Sequence, residues 1–175
     1  LTTIPLLPIT PQIKKVVRDY QQTCIDLIQN STKNVIISLP TGTGKNFIIV
    51  NSFQPNKKYL ILVPLIILLE QLQNEIINYD PKLKSNIQLI GDNNKTFSEN
   101  KNITICVYNS VNVIEEHISI FHKIFIDEAH HIYKPEIYNN DESDSEHDGK
   151  LTYINTIQNF KTFNNNVYLS ATIDK

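Results

Sequence analysis

Residues 39–46 combine two glycines, a lysine and two threonines between two largely apolar runs. The segment reads Leu-Pro-Thr-Gly-Thr-Gly-Lys-Asn and lies between 34–38 and 47–50. Gly42 and Gly44 let the backbone bend so that successive N–H groups point at one anion. The ammonium of Lys45 supplies positive charge for the β- and γ-phosphates of a nucleotide. The pattern therefore predicts a phosphate-binding loop between a buried strand and a helix.

The loop departs at two positions from the general pattern G-x-x-x-x-G-K-[ST]. Leu39 stands where the first glycine belongs, and Asn46 stands where a magnesium-binding hydroxyl belongs. An amide oxygen can bind magnesium, but the asparagine side chain is longer than a serine or threonine hydroxyl. Two interpretations stay open: an ATPase with an altered magnesium ligand, and a degenerate P-loop module that binds nucleic acid or acts as a scaffold without hydrolysis.

A second group of polar residues follows the apolar segment 124–126 and reads Asp-Glu-Ala-His-His. Acidic residues at the C-terminal end of a buried parallel strand lie where such sheets place their ligands. In a nucleotide hydrolase, Asp127 would hold magnesium and Glu128 would take a proton from the attacking water. The alternative is a pair of carboxylates stabilised by a helix N-terminus. A phosphate-binding loop in the same chain favours the catalytic interpretation, because both sites then serve one reaction.

Short apolar segments alternate with helical patterns along the chain, which is typical of an α/β fold with a mainly parallel sheet covered on both faces. The predicted strands are 34–38, 58–63, 87–90, 103–107, 123–127 and 166–170. The predicted helices are 13–29 with a break near Arg18 and Asp19, 44–52, 65–79, 110–116 and 151–160, with a helical turn at 128–133. The polar segment 92–102 is predicted to be a loop.

Size and composition fit one soluble domain of 175 residues with a net charge of -2. The charge gives no overall basic footprint, so nucleic-acid contacts require a local patch. Cys24 and Cys106 lie far apart in apolar segments and are expected to be reduced thiols of an intracellular protein. The apolar run 59–69 contains Pro64 and is too short to span a membrane. Residues 139–150 contain a run of acidic residues and serines, and we expect a disordered surface insertion there.

The order of the motifs resembles the first RecA-like domain of a superfamily-2 helicase, over residues 18 to 172. The motifs are Arg-Asp-Tyr-Gln at 18–21, the loop at 39–45, Val-Pro at 63–64, Asp-Glu-Ala-His-His at 127–131 and Leu-Ser-Ala-Thr at 169–172. Within the DEAD/DEAH-like helicases, this loop and the Asp-Glu-Ala-His-His subgroup motif are similar to those of phage, viral and repair DNA helicases and of restriction-enzyme translocases. The resemblance implies a three-layer α/β/α P-loop NTPase domain that binds ATP and Mg²⁺ and acts on DNA rather than RNA.

The resemblance also assigns roles to individual residues. Arg18, Tyr20 and Gln21 would recognise adenine, and the phosphates would lie on Pro40, Thr41, Gly42, Thr43, Gly44, Lys45 and Asn46. Asn46 and Asp127 would hold Mg²⁺. The catalytic set implied is Lys45, Asp127, Glu128 and His130. His130 would bond towards Ser170 or Thr172 and link the nucleotide site to nucleic acid. For His130 and His131, the alternative is a pair that caps helix carbonyls.

Contacts with nucleic acid are implied at strand ends, by Pro64, Gly91, Asp92, Tyr108 and Ser110. Simple turns account for these residues equally well. Helicases of this group usually have threonine after the strand-end proline, where this chain has Leu65. The absent hydroxyl removes one expected phosphate contact.

The resemblance implies that residues 1–175 form the ATP-binding domain and that a second RecA-like domain of the parent chain completes the enzyme. Arg18 is the single arginine of the sequence and is assigned to adenine, so no arginine is left for the γ-phosphate. We therefore expect residues 1–175 alone to hydrolyse ATP slowly or not at all. A different class of function, an interaction surface, would use the acidic insertion to bind a basic partner or to carry phosphoserine at Ser143 or Ser145.

Overall fold

The structure is a computed structural model, which describes residues 16–91, 93–133, 155–157, 159–160, 163 and 165–171. Its strands are β1 (Val35–Ser38), β2 (Tyr59–Val63), β3 (Ile87–Ile90), β4 (Ile103–Val107), β5 (Lys123–Ile126) and β6 (Asn166–Ser170). The α-helices are α1 (Asp19–Asn30), α2 (Lys45–Asn51), α3 (Ile67–Tyr79) and α4 (His130–Tyr133). Three 3-10 helices span Pro81–Asn86, Tyr108–Val113 and Glu115–Ile120.

The six strands form one sheet in the order β1-β6-β5-β2-β4-β3, and every pair of neighbouring strands is parallel. This confirms the predicted α/β fold with a parallel sheet. Because all strands run the same way, the segments after their C-terminal ends meet at one edge of the sheet. The chain therefore brings the ends of β1, β6 and β5 side by side, although β6 follows β1 by well over a hundred residues.

The two faces of the sheet have separate apolar cores. In β2, Tyr59, Ile61 and Val63 pack on the face that α1, α2 and α3 cover. Leu60 and Leu62 point to the other face and pack with residues of the 3-10 helices and α4. All five residues of β2 are buried, which explains why the strand reads as a continuous apolar run rather than an alternating one.

Helix α1 begins at Asp19 because residue 21 caps it. Oε1 of Gln21 accepts a hydrogen bond from the backbone N–H of Arg18 at 3.1 Å, as in a capping box. Residues 16–18 are not helical, so the prediction is wrong at residues 16 and 17, while α1 begins at the break predicted near Arg18 and Asp19. The predicted helix 110–116 is replaced by two 3-10 helices that meet at Ile114.

Two other predictions fall largely outside the described residues. The acidic insertion 139–150 lies outside them entirely, and the predicted helix 151–160 does so in part. Within the residues that the structure describes, no helix is both long enough and apolar enough to cross a membrane.

Candidate nucleotide-binding site

The candidate site lies at the edge where β1, β6 and β5 end. β6 lies between the other two strands, and backbone hydrogen bonds tie it to the segment after each of them. The N–H of Leu39, after β1, donates to the carbonyl of Ser170 at 3.0 Å, and the N–H of Ala129, after β5, donates to the carbonyl of Leu169 at 2.8 Å. These two bonds hold the glycine-containing loop and the acidic motif on opposite sides of β6.

Two glycines shape the loop after β1. Gly42 has φ 78° and Gly44 has φ 86°, both in the left-handed region that disfavours other residues. Between them, Oγ1 of Thr43 donates to the carbonyl of Pro40 at 2.6 Å. Helix α2 begins directly after Gly44, so Lys45 is its first residue. The loop thus has the strand–turn–helix context that the sequence predicts.

The start of α1 is attached to this loop through a single carbonyl. The hydroxyl of Tyr20 donates to the carbonyl of Thr43 at 2.8 Å, and Nε2 of Gln21 donates to it at 2.9 Å. Nη1 of Arg18 in turn donates to the hydroxyl of Tyr20 at 3.2 Å. The structure therefore brings the three residues assigned to adenine against the loop. Gln21 is 7% exposed, and its described contacts serve the loop and the cap of α1.

Gly44 and Gln21 lie too close for a larger residue at position 44. A Cβ atom added to Gly44 would lie 2.8 Å from Nε2 of Gln21. A side chain there would push Nε2 of Gln21 away from its hydrogen bond to the Thr43 carbonyl. Gly44 therefore serves both the turn and the packing of the two elements.

An ion pair crosses β6 and joins the loop to the acidic motif. Nζ of Lys45 lies 3.0 Å from Oε1 of Glu128, and both side chains are largely shielded from solvent. Oε2 of Glu128 lies 3.3 Å from Nδ1 of His130, and the same nitrogen lies 3.2 Å from Oγ of Ser170. The hydrogen bond of Nδ1 is with Ser170, while its contact with Glu128 is at ion-pair distance only. The four side chains form a continuous polar chain from α2 to the end of β6.

Glu128 has an unusual backbone conformation. Its φ is 50°, in the left-handed region, where a residue with a side chain costs roughly 1–2 kcal/mol relative to the right-handed conformation. The turn redirects the chain between β5 and α4, and places the Glu128 carboxylate between Lys45 and His130. Strained residues of this kind concentrate at functional sites. No residue pattern in the sequence marks this turn.

Asp127 carries a buried carboxylate that is only partly satisfied. Within the described part of the chain, its Oδ1 is shielded from solvent and has no hydrogen-bond partner. Burial raises the pKa of this carboxyl and the neighbouring Glu128 charge adds to the increase, while Lys45 acts in the opposite direction. An unpaired carboxylate oxygen beside a lysine is a suitable ligand for a divalent cation. Asn46 is half-buried in the first turn of α2 and carries an amide oxygen.

The residues assigned to nucleic acid are mostly inaccessible. Tyr108 is 1% exposed and its hydroxyl donates to the carbonyl of Asp127, and Ser110 is 6% exposed. Gly91 is buried, and a Cβ atom at this position would meet the side chains of Val107 and Leu69. Tyr108, Ser110 and Gly91 are therefore buried at the sheet edge, and their contact with nucleic acid stays a prediction.

Two of the assigned residues, Asp92 and Thr172, lie outside the described part of the chain. Pro64 is half-buried at the end of β2, and the exposed side chains next to it are apolar. Leu65 and Ile66 are both more than half exposed. The contact of Tyr108 with the backbone of Asp127 is one that sequence reasoning misses, because the motif order places this tyrosine at the surface.

A sequence profile of the family described as "Type III restriction enzyme, res subunit" matches residues 14–175. The chain belongs to this family. The match spans the loop, the acidic motif and the end of β6, so it includes the whole candidate site. No curated protein sequence is significantly similar to the chain.

Solved structures of helicases share the fold. The UvsW helicase from bacteriophage T4 superposes with a TM-score of 0.61 at 18% identity, over 89% of this chain and 52% of that one. A hypothetical ATP-dependent RNA helicase from Sulfolobus tokodaii gives 0.68 at 18% identity, over 92% and 48%. The fold is that of a RecA-like helicase domain. This family member spans about half the length of each of the two helicases.

Proposed function

We propose that this chain is the ATP-binding domain of a nucleic-acid-dependent ATPase, a helicase or translocase that acts on DNA. The observation that carries the proposal is the Lys45–Glu128–His130–Ser170 chain of contacts at the ends of three adjacent strands. It unites a phosphate-binding cation, a general base and a link to the last strand. The family and the helicase fold support the same reaction.

The ATP phosphates would lie on the loop 40–46, with the ammonium of Lys45 against the β- and γ-phosphates. In the structure this ammonium is paired with Glu128 at 3.0 Å. A phosphate group that binds Lys45 competes with the carboxylate, and Glu128 is then released to accept a proton from water. Nucleotide binding and activation of the base are thereby one event.

Mg²⁺ would be held by Asp127 and Asn46 and would stabilise charge on the phosphate oxygens. Oδ1 of Asp127 is a buried acceptor without a hydrogen-bond partner among the described residues, which fits this role. Tyr108 fixes the backbone of Asp127 through its carbonyl. The amide of Asn46 is longer than the usual hydroxyl, so the chain would bind the ion less tightly than a threonine-containing loop does.

His130 would keep Glu128 oriented after Lys45 moves to the phosphates. Its Nδ1 lies within reach of both Oε2 of Glu128 and Oγ of Ser170. Ser170 is the last residue of β6, so a shift of this strand end would alter the position of the base. This is a physical route by which nucleic acid, bound beyond β6, would change the hydrolysis rate.

A second candidate function is a degenerate P-loop module that serves as a nucleic-acid-binding or scaffold domain without hydrolysis, and Asn46 is the observation that favours it.

The two candidate functions are separated by measuring ATPase rates of the full-length protein and of Asn46→Thr with single-stranded DNA, duplex DNA or RNA. We expect turnover in the natural protein, stimulation by DNA above RNA, and a faster rate for Asn46→Thr. Turnover absent from the natural protein and present in Asn46→Thr would establish the non-hydrolysing module instead. Equal stimulation by RNA would remove the preference for DNA.

A further inference from the structure

The sheet edge opposite the candidate site is strongly basic. We call it the basal edge and define it as residues 31–34, 52–58, 80–86, 98–102 and 121–123, which lead into the strands. Seven of the ten lysine and arginine residues in the described part of the chain lie there. They are Lys33, Lys57, Lys58, Lys82, Lys84, Lys101 and Lys123. A chain with net charge -2 therefore concentrates positive charge on one side.

Backbone hydrogen bonds connect the segments of the basal edge into one surface. The N–H of Asn102 donates to the carbonyl of Asn86 at 3.1 Å, and the N–H of Tyr59 donates to the carbonyl of Asn102 at 2.8 Å. The N–H of His122 donates to the carbonyl of Lys58 at 2.8 Å. These bonds run across the sheet from β3 to β5, so the backbone that carries the lysines is held in place by the sheet.

The positive charge of this edge is poorly neutralised within the chain. None of the ion pairs found among the described residues includes a basal-edge lysine. Two acidic residues belong to the same segments. Glu99 pairs with His117, and Oδ1 of Asp80 accepts the backbone N–H of Lys82.

The seven lysines divide into two groups. Lys58, Lys101 and Lys123 donate to the backbone carbonyls of Glu99, Ser85 and Ser31, at 2.5, 2.7 and 2.5 Å. The side chains of Lys33, Lys57, Lys82 and Lys84 are exposed. The four exposed lysines are therefore available to a ligand. The other three stabilise the backbone of the basal edge and add to its positive electrostatic potential.

The imidazole of His122 lies within the positive potential of two basal-edge lysines. Partial burial lowers the pKa of this imidazole, and the charges of Lys57 and Lys123 lower it further. Two lysines thus act on one ring without an opposing carboxylate among the causes. The histidine is neutral near pH 7, so the lysines alone supply the charge of this edge.

The shape of the surface fits an extended polyanion better than a folded protein. Six strands about 4.8 Å apart give an edge of roughly 24 Å, comparable to several successive phosphates of a nucleic-acid strand. No large exposed apolar residue of the described chain belongs to the basal-edge segments, although Tyr79 directly precedes one of them. Surfaces that bind DNA are more polar and more positively charged than protein–protein interfaces.

We propose that the basal edge binds the phosphate backbone of a nucleic acid, at a second contact surface remote from the candidate nucleotide site. This contact is independent of base sequence, since lysine ammonium groups read charge rather than base edges. This proposal rests on the proposed function only because it requires that the full-length protein binds nucleic acid. It would hold flanking DNA on the far side of the domain.

The test uses the full-length protein and a fluorescein-labelled duplex of about 40 base pairs, with anisotropy measured between about 50 and 200 mM salt. The double variant Lys57→Gln and Lys84→Gln removes two exposed basal-edge charges. Its matched control, Gln71→Glu with Asn74→Asp, changes the net charge by the same amount on the exposed face of α3. Thermal melts of both variants verify folding.

The basal-edge variant should bind roughly tenfold more weakly, and its log–log salt slope should fall by about 2, since each lost phosphate contact removes about 0.9. The control should keep the slope of the natural protein. Equal slopes for all three proteins would overturn the proposal. So would a variant that keeps its DNA affinity but loses binding to a polyglutamate peptide, because the partner would then be an acidic protein.

Failure of this proposal is distinguishable from failure of the ATPase proposal. Neither Lys57 nor Lys84 lies in the candidate nucleotide site, so nucleotide affinity should be unchanged in the basal-edge variant. If the full-length protein has no ATPase activity and the salt slope of the basal-edge variant still falls by about 2, the nucleic-acid contact at the basal edge is supported and the ATPase function is refuted.

Discussion

Nζ of Lys45 lies 3.0 Å from Oε1 of Glu128, although the two residues are 83 positions apart in the sequence. They follow β1 and β5, which are separated in the sheet by β6. The pair therefore depends on the insertion of a C-terminal strand between two earlier ones. Under the proposed function, Lys45 would contact either Glu128 or the nucleotide phosphates, and Glu128 would contact either Lys45 or the attacking water.

Replacing Gln21 by alanine should loosen the loop. The variant loses the hydrogen bond to the Arg18 N–H and one of the two bonds to the Thr43 carbonyl, which Tyr20 still contacts. At about 0.5–1.5 kcal/mol for each bond, the melting temperature should fall by a few degrees. The dissociation constant for ATP should rise as well. Gln22→Ala, on the exposed face of α1, is the control and should change little. Equal nucleotide affinities of the two variants would contradict a role for Gln21.

Asp127→Asn should stabilise the fold at neutral pH. Burial and Glu128 raise the pKa of the Asp127 carboxyl, so the folded chain binds this proton more tightly than the unfolded chain. The carboxyl stabilises the fold below its unfolded pKa of about 3.9 and loses that contribution as the pH rises through the raised value. Melting temperatures of both proteins at several pH values test this. The difference in melting temperature between the variant and the natural protein should shrink towards about pH 4. A difference that does not change with pH would refute the explanation.

The same variant should lose the stabilising effect of Mg²⁺. Adding Mg²⁺ with a non-hydrolysable ATP analogue should raise the melting temperature of the natural protein, because a ligand of the folded state stabilises it. In Asp127→Asn the increment should be much smaller. An equal increment in both proteins would show that the ion is held elsewhere.

Gly91→Ala should destabilise the domain without touching the nucleotide site. The added Cβ would lie 2.7 Å from Cγ2 of Val107 and 3.0 Å from Cδ1 of Leu69. Overpacking of this kind costs about 1–3 kcal/mol, or several degrees in melting temperature. The double variant with Val107→Ala relieves the closest contact and should recover part of the loss. No recovery would indicate that the backbone conformation at φ 151° is the cause.

Ser170→Ala should separate hydrolysis from its stimulation. The variant removes the Oγ that lies 3.2 Å from Nδ1 of His130 and leaves the Lys45–Glu128 pair in place. We expect the ATPase rate without nucleic acid to be nearly unchanged and the stimulated rate to fall several-fold. Rates with and without single-stranded DNA provide the comparison. A proportional fall in both rates would place Ser170 in hydrolysis itself rather than in coupling.

Much of the fold follows from the sequence because its strands are buried on both faces. The run 59–63 is apolar at each position, and every residue of it is buried in β2. Three predicted strands, at 87–90, 103–107 and 166–170, have the bounds that the structure gives. Parallel strands also bring the loop and the acidic motif to one edge, which the order of the motifs along the chain already indicates.

The sequence could not predict contacts that depend on strand order or on backbone carbonyls. Tyr20 and Gln21 both donate to the backbone carbonyl of Thr43, and every residue type has such a carbonyl. The residue type at position 43 therefore cannot predict these two hydrogen bonds. The left-handed turn at Glu128 occurs at a residue type that rarely adopts it. The position of Tyr108 after a strand favours a surface contact with nucleic acid, whereas the packing of its 3-10 helix buries the ring.

The ATPase rate of Glu128→Gln in the full-length protein tests the central claim most directly. The amide keeps the shape of the side chain but cannot accept a proton from water. In the presence of DNA we expect turnover to fall by at least about a hundredfold, while the affinity for ATP stays the same or increases because Lys45 loses its ion pair. Turnover equal to that of the natural protein would contradict Glu128 as the general base and, with it, the proposed site.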